Sequence, residues 1–266
     1  MKKIAIGIIS VLFLVASPVT ITLAGETKSD LLKIPNSVLD VSKENTYPNP
    51  TQDIPLLQPS KLSTELLETA NVKIENPLLI KLLNESYIKN GPISIGYKAK
   101  IFLGSWALNY ESTETTVNWE FKKVNVNYYD NRGGDETYPI RFNQNNQRIV
   151  QGGLTSKVES ADDVKKMMMQ KAMKHTSLPL SFQTVIGAGT KKEQSYNIAS
   201  NHIGYLYSYV PAVNEKGKIT FGEVYLVLKG NKKSIQVKNI TSHGIGAWIP
   251  VQDRLSFMFI TSKNPR

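Results

Sequence analysis

Residues 202–240, HIGYLYSYVPAVNEKGKITFGEVYLVLKGNKKSIQVKNI, decide the fold. Tyr205, Tyr207 and Tyr209 alternate with Leu206, Ser208 and Val210, a period of two that reads as a strand rich in β-formers. Residues 218–228 and 234–240 repeat the alternation. Two polar clusters, Asn214-Glu215-Lys216-Gly217 and Gly230-Asn231, carry turn chemistry. The expectation is therefore an antiparallel meander of three strands joined by two tight turns.

The same period extends upstream and downstream. Ile93, Ile95, Tyr97, Ala99, Ile101 and Leu103 alternate with mostly polar neighbours, and residues 255–262 form a closing strand. In residues 116–129 the inward parity moves from Val117, Trp119 and Phe121 to Val124, Val126 and Tyr128, the signature of a β-bulge. Residues 130–135 make a polar Gly-Gly turn. One amphipathic helix interrupts, from Ser160 to about His175, with Ser160 and Asp163 as a capping box and Pro179 as its stop. Before the strands, residues 63–70 and the run after Asn76-Pro77 have the caps of two short helices, and Leu78, Leu79, Leu82 and Leu83 form an apolar stripe. The fold class is α+β: a predominantly antiparallel β-sheet domain with one central amphipathic helix and short N-terminal helices.

Four segments follow from these boundaries. Residues 1–24 have the order of a secretory signal: Lys2 and Lys3, an uncharged run from Ile4 to Ala16, then Thr22-Leu23-Ala24 before Gly25. The alternative is retention of that run as a membrane anchor. Residues 25–60 read as a Pro-rich polar leader, extended or partly disordered, with Leu31, Ile34, Leu56 and Leu57 available for local packing. Residues 61–92 are a short helical region, and residues 93–266 the β-rich domain.

Charge is uneven along the 266 residues, whose formal net charge is +10. Residues 25–92 hold 7 Lys against 9 acids, while residues 93–266 hold 23 Lys and Arg against 13, so the β-rich domain carries the excess. Zero Cys excludes disulfides, thiolate metal sites and a Cys nucleophile. No pattern implies a cofactor. His175, His202 and His243 have no zinc spacing. Asp130–Glu136 lacks a Ca²⁺-loop pattern, and Gly187–Lys192 lacks that of a phosphate-cradling loop. Ser86-Tyr87-Ile88-Lys89 has the S-x-x-K spacing of serine acyl-transferases, with Ser195-Tyr196-Asn197 downstream, but no K-[ST]-G follows. Ser86 also sits at the end of a helix, so this chain reads as a binding protein more than an enzyme.

Two binding readings remain. Tyr205, Tyr207 and Tyr209 share one strand face, either as a stacking row for glycan or as cross-strand packing. Met167, Met168, Met169 and Met173 could form an adaptable binding groove, but their amphipathic pattern reads as core filling over the sheet. Paired lysines recur through the domain, chiefly Lys122, Lys123, Lys191, Lys192, Lys232 and Lys233. On an exported protein such a surface points away from nucleic acid and toward an anionic cell-wall polymer or acidic membrane surface.

Longer strings add a resemblance. ESTETTVNWEF (111–121), DNRGGDE (130–136), DDVKKMMM (162–169), LPLSFQTVIGAGTKK (178–192), residues 203–230 and GIGAWIPVQDRLSF (244–257) resemble the YfkD-like family, exported proteins of spore-forming Gram-positive bacteria. The resemblance spans residues 93–266. It implies a location at the Gram-positive envelope and transfers no catalytic or binding residue.

Overall fold

A computed structural model describes residues 32–49, 57–86 and 98–266. Residues 1–24, where a signal is expected, Leu31 and Leu56 of the leader, the alternation at Ile93, Ile95 and Tyr97, and Lys89 lie outside the described residues. In chain order the elements are β1 (Val38–Asp40), α1 (Lys61–Glu68), α2 (Pro77–Glu85), β2 (Lys98–Asp130) and β3 (Tyr138–Asn143). Next come β4 (Arg148–Gln151), β5 (Gly153–Leu154), α3 (Ala161–Thr176), β6 (Gln183–Ile186) and β7 (Lys191–Ile198). The chain closes with β8 (Ile203–Lys229), β9 (Lys232–Pro250) and β10 (Arg254–Ser262).

The class is α+β and every strand pair is antiparallel. Its spine is β8, which pairs with β2 along one edge for its whole length. On the other edge β8 pairs first with β10 and then with β9. Pro211 stands at that switch, where β2 skips from Asn118 to Lys122. A proline cannot donate to a ladder, so it is tolerated where pairing is already interrupted by a bulge.

The turn expected at Asn214-Glu215-Lys216-Gly217 is absent, and β8 passes straight through it. Each of these residues has a partner in both neighbours: Glu215, for example, lies opposite Thr115 of β2 and Ala247 of β9. Ladder bonds on two sides outweigh a local turn preference, which is a weak, context-dependent term. Gly217 has a packing role, since a Cβ there would run into the Glu111 carbonyl and the Tyr110 hydroxyl. The second turn forms as expected. Gly230 has φ +57° at the first position of a two-residue hairpin. The bulge expected after Phe121 is also present, with register shifts at 118–122 and 123–125. Of the residues expected to turn inward after it only Val124 is buried: the second shift turns Val126 and Tyr128 outward and Asn125 and Asn127 inward.

Three hydrophobic clusters are strung along the spine. Val164, Met167, Met168 and Met169 of α3 pack on Val213, Ile219 and Ala247. Leu206, Val210 and Phe257 pack with Phe142, Val150 and Ile198 of the small sheets. Leu66, Leu79 and Leu83 of the N-terminal helices cover Val224, Leu226, Ile235 and Val237. Of the expected α2 stripe, Leu79 and Leu83 are buried, whereas Leu78 and Leu82 face out and Ile80 takes their place.

Two helix starts differ from expectation. The cap of α1 is Ser60, three residues before the expected helix start at Ser63, and it accepts from Ser63 N at 3.2 Å. Ser160 has φ +49° and makes no side-chain cap on α3. Its capping-box partner Asp163 is buried instead against Asn76 Nδ2 at 3.0 Å. Asn76 itself caps α2 as expected, accepting from Leu78 N and Leu79 N.

The leader is part of the domain from Leu32 onward. Its residues 38–40 are β1, paired with β10. Asn45 and Asn49 then act as a strand surrogate along β6: Asn45 Nδ2 donates to Val185 O, and Asn49 Oδ1 accepts from Val185 N at 2.6 Å. Lys192 closes the clamp on Glu44 at 2.8 Å and on the Asp40 carbonyl. Pro-rich composition limited helix here and left edge pairing open.

Candidate functional site

The site grows from the bulged part of β2. Around its last two register shifts, Lys123, Val126 and Tyr128 lie opposite Tyr209, Tyr207 and Tyr205. Asn125 and Asn127 point to the other face. Their amides donate to the Asn143 carbonyl at 2.7 and 2.9 Å, and Asn127 Oδ1 accepts from Asn143 N. Side chains thus replace a backbone ladder on the outer edge of β2. The end of β3 is held one side-chain length away, and a furrow remains.

Two adjoining hollows form this furrow and share Val126. The first, about 460 Å³, is lined by Lys122, Lys123, Asn125, Arg148 and Ile149 among others. The second, about 370 Å³, is lined by Asn127, Tyr128, Tyr129, Tyr138, Arg141 and Asn145 among others. None of the lining residues of either hollow is an Asp or Glu. Tyr129 and Tyr138 stack at 3.6 Å between centroids. At about 3.3 Å per residue, residues 122–129 give the furrow a length of roughly 23 Å.

The expected tyrosine row borders it on the sheet face. Tyr205, Tyr207 and Tyr209 are half-buried, on the side opposite the Leu206 and Val210 core. Tyr128, Tyr205 and Tyr207 continue as near-parallel rings at 5.8 and 6.2 Å, and Lys123 Nζ lies 5.4 Å from the Tyr207 centroid. The row therefore packs across strands and also presents a surface, Tyr128 being 61% exposed at its end. Burial, and then the charge of Glu120, raises the pKa of the Tyr209 phenol above its ordinary value. At the end of the furrow Arg132 donates to both oxygens of Asp130 and holds that carboxyl below its usual range.

The six lysines singled out in the sequence do not share one surface. Lys122 and Lys123 line the furrow, whereas Lys192 is tied to Glu44. Lys191 is exposed at the start of β7. Lys232 and Lys233 sit at the β8–β9 hairpin, about 20 residues along β8 from Tyr209, or roughly 65 Å of strand. A pairwise repeat in sequence says nothing of which strands lie adjacent.

The furrow's Arg148, Arg141, Asn125, Asn127, Tyr129 and Tyr138 carried no signal of their own. Only the string VNVNYY, with amides alternating in a strand and rings at its end, marked the spot. Ser86 caps α2 at its C-terminal end, and its hydroxyl donates to the Leu82 carbonyl at 2.7 Å. Elsewhere, a buried carboxylate, Glu215, accepts from Tyr110 Oη at 3.0 Å and Thr115 Oγ1 at 2.6 Å. The Thr115 hydroxyl is also 3.0 Å from His175 Nδ1. His202 Nδ1 bonds Ser200 O, and His243 is exposed. Among the described residues no three His, Asp or Glu side chains group as metal ligands.

The family profile described as YfkD-like protein matches residues 35–266. A curated relative, "Uncharacterized protein YfkD" of Bacillus subtilis (strain 168), is 64% identical over 234 residues, 88% of this chain and 89% of that one. This chain belongs to the YfkD-like family. The family match includes β1 and both N-terminal helices, so it reaches well before residue 93, where the resemblance in sequence strings began. That agrees with the YfkD-like fold, in which residues 38–49 are clamped onto β6 and β10. Among solved structures, a lamprey immune protein aligns over 63% of this chain and 54% of its own at 4% identity, with a TM-score of 0.25. That likeness is too low to place the two in one fold.

Proposed function

We propose that this YfkD-like chain is an exported envelope protein that holds an anionic wall polymer in the furrow along β2. The observation behind this reading is the furrow's composition: Lys122, Lys123, Arg141 and Arg148 with three tyrosines, three asparagines and no acid. Cations converging without carboxylates favour phosphate or carboxylate groups, because nothing internal neutralises them. Amides and phenols beside them suit the hydroxyls and apolar faces of sugar or polyol units. The partner is thus a polymer with both features. Binding, not bond cleavage, is the role assigned, since Ser86 Oγ, the one nucleophile with a suggestive spacing, is occupied by its own helix.

The test is sedimentation of the protein with a purified polyol-phosphate wall polymer and, separately, with a neutral glucan. Binding to the charged polymer alone, weakened by salt, is expected. The Lys122→Gln/Lys123→Gln/Arg148→Gln variant should bind at least tenfold more weakly while unfolding at the same temperature. Unchanged binding by that variant, or none at low ionic strength, refutes the site.

A second reading, glycan contact through Tyr205, Tyr207 and Tyr209, draws support from Lys123, which joins the row to the furrow. It requires neutral-glucan binding that survives salt and falls in the triple Tyr→Ala variant. Export itself is tested by N-terminal sequencing of protein from the culture and wall fractions. A start at Gly25 marks cleavage, and an intact start in the membrane fraction marks anchoring.

A further inference from the structure

The hairpin end of the spine is far from the furrow and differs from it in chemistry. Lys98 of β2 lies directly opposite Lys229 of β8, which lies directly opposite Lys232 of β9. Three like charges in one cross-strand row repel, and a sheet ordinarily avoids that arrangement. Residues 98–103 and 224–235 contain five lysines, counting Lys100 and Lys233, and no Asp or Glu. Glu223, next in β8, accepts from Tyr225 Oη at 2.7 Å and lies near Lys100, six residues in from Lys229. Among the described residues, Lys98, Lys229 and Lys232 form no ion pair. Two residues in from the row, Lys100 Nζ lies 4.1 Å from the Tyr225 ring centroid.

Apolar groups accompany the charge. Phe102 is 55% exposed and packs at 5.2 Å on Tyr225, on the same face as Lys98 and Lys100. Ile101, on the other face, is 45% exposed. A row of lysines at the very end of a ribbon, with a bare aromatic ring one or two rows behind, matches the layering of a bilayer surface: charge among headgroups and a ring at the acyl boundary. A soluble polyanion would satisfy the lysines and leave Phe102 in water.

We propose that this end of the β2–β8–β9 ribbon is a contact site for an anionic phospholipid bilayer, with Lys98, Lys229 and Lys232 on headgroup phosphates and Phe102 at the interface. The site is independent of the furrow, and the two together would let one chain bridge membrane and wall polymer.

The experiment is sedimentation of the protein with vesicles of phosphatidylcholine alone and of phosphatidylcholine mixed with an equal part of phosphatidylglycerol. Binding to the mixed vesicles only is expected. Each lysine near an anionic surface contributes about fivefold in affinity, so Lys98→Gln/Lys229→Gln/Lys232→Gln should lose about a hundredfold. Its thermal unfolding should be unchanged or higher, because the replaced charges repel. Phe102→Ser should weaken binding and make the remainder more sensitive to salt. The furrow variant Lys122→Gln/Lys123→Gln/Arg148→Gln should bind vesicles normally. Three results overturn the proposal: wild-type binding by the triple lysine variant, equal loss in the furrow variant, or equally tight binding of soluble polyphosphate through the same three lysines. The last would assign the end to a soluble polyanion.

Discussion

Replacing Tyr110 by phenylalanine removes one hydroxyl from a site that water does not reach. Tyr110 and Glu215 are both 0% exposed, and the phenol donates to Glu215 Oε1 at 3.0 Å. No lysine or arginine pairs with Glu215 among the described residues, so its charge rests on two hydroxyls, from Tyr110 and Thr115. A hydrogen bond to a charged group contributes about 1.5–3 kcal/mol, and Thr115 retains one oxygen, so Tyr110→Phe should cost about 2 kcal/mol at pH 7. The pH dependence sharpens the test. Burial, followed by the charge of Glu215 and the bond to it, pushes the Tyr110 phenol above its ordinary pKa of 10.0. The unfolded chain therefore loses this proton first. The contribution is complete below pH 10 and is lost above it at about 1.4 kcal/mol per pH unit. Urea unfolding of both proteins at pH 7, 9 and 11 measures the gap. It should hold between pH 7 and 9 and shrink by about 1.4 kcal/mol at pH 11. The raised phenols of Tyr196, Tyr209 and Tyr225 remain in both proteins and cancel. A gap below about 0.5 kcal/mol at pH 7, or one unchanged at pH 11, refutes the buried-site account.

Helix starts give a paired prediction. Asn76→Ala removes the α2 cap and two further bonds, to Ala107 O and Asp163, and should cost about 2–3 kcal/mol in urea unfolding. Ser160→Ala, which removes no cap bond, should stay within about 0.5 kcal/mol of wild type. Glycines give another. Gly217→Ala should cost more than about 3 kcal/mol or prevent folding, because its Cβ meets the Glu111 carbonyl, whereas Gly244→Ala has open space and should unfold at the wild-type temperature. For the leader, Asn49→Ala leaves Val185 N without its 2.6 Å acceptor and should lower stability by about 1–2 kcal/mol, read by thermal unfolding.

Local patterns in the sequence carried the local structure. Period-two alternation placed the strands, Asn76-Pro77 placed a helix start to the residue, and the parity change after Phe121 placed a bulge. Each is a property of a few consecutive residues, set by backbone sterics and short-range bonds. Where neighbours in space competed, local signals lost. The Asn-Glu-Lys-Gly cluster had turn chemistry but became strand, because β2 and β9 both offered it partners. Ser160 had a capping sequence but not the cap, because Asp163 had a buried partner in Asn76.

The candidate sites divide along the same line. That Lys229 and Lys232 face each other follows from Gly230-Asn231 and hairpin geometry alone. That Lys98 joins them, or that Arg148 faces Lys122 across a furrow, depends on strands far apart in sequence coming together. The sequence by itself determined the class of fold, the excess of charge on its β-rich part and the family. Only the tertiary structure decided where that charge converges, because a strand's register is fixed by its partners and not by its own residues.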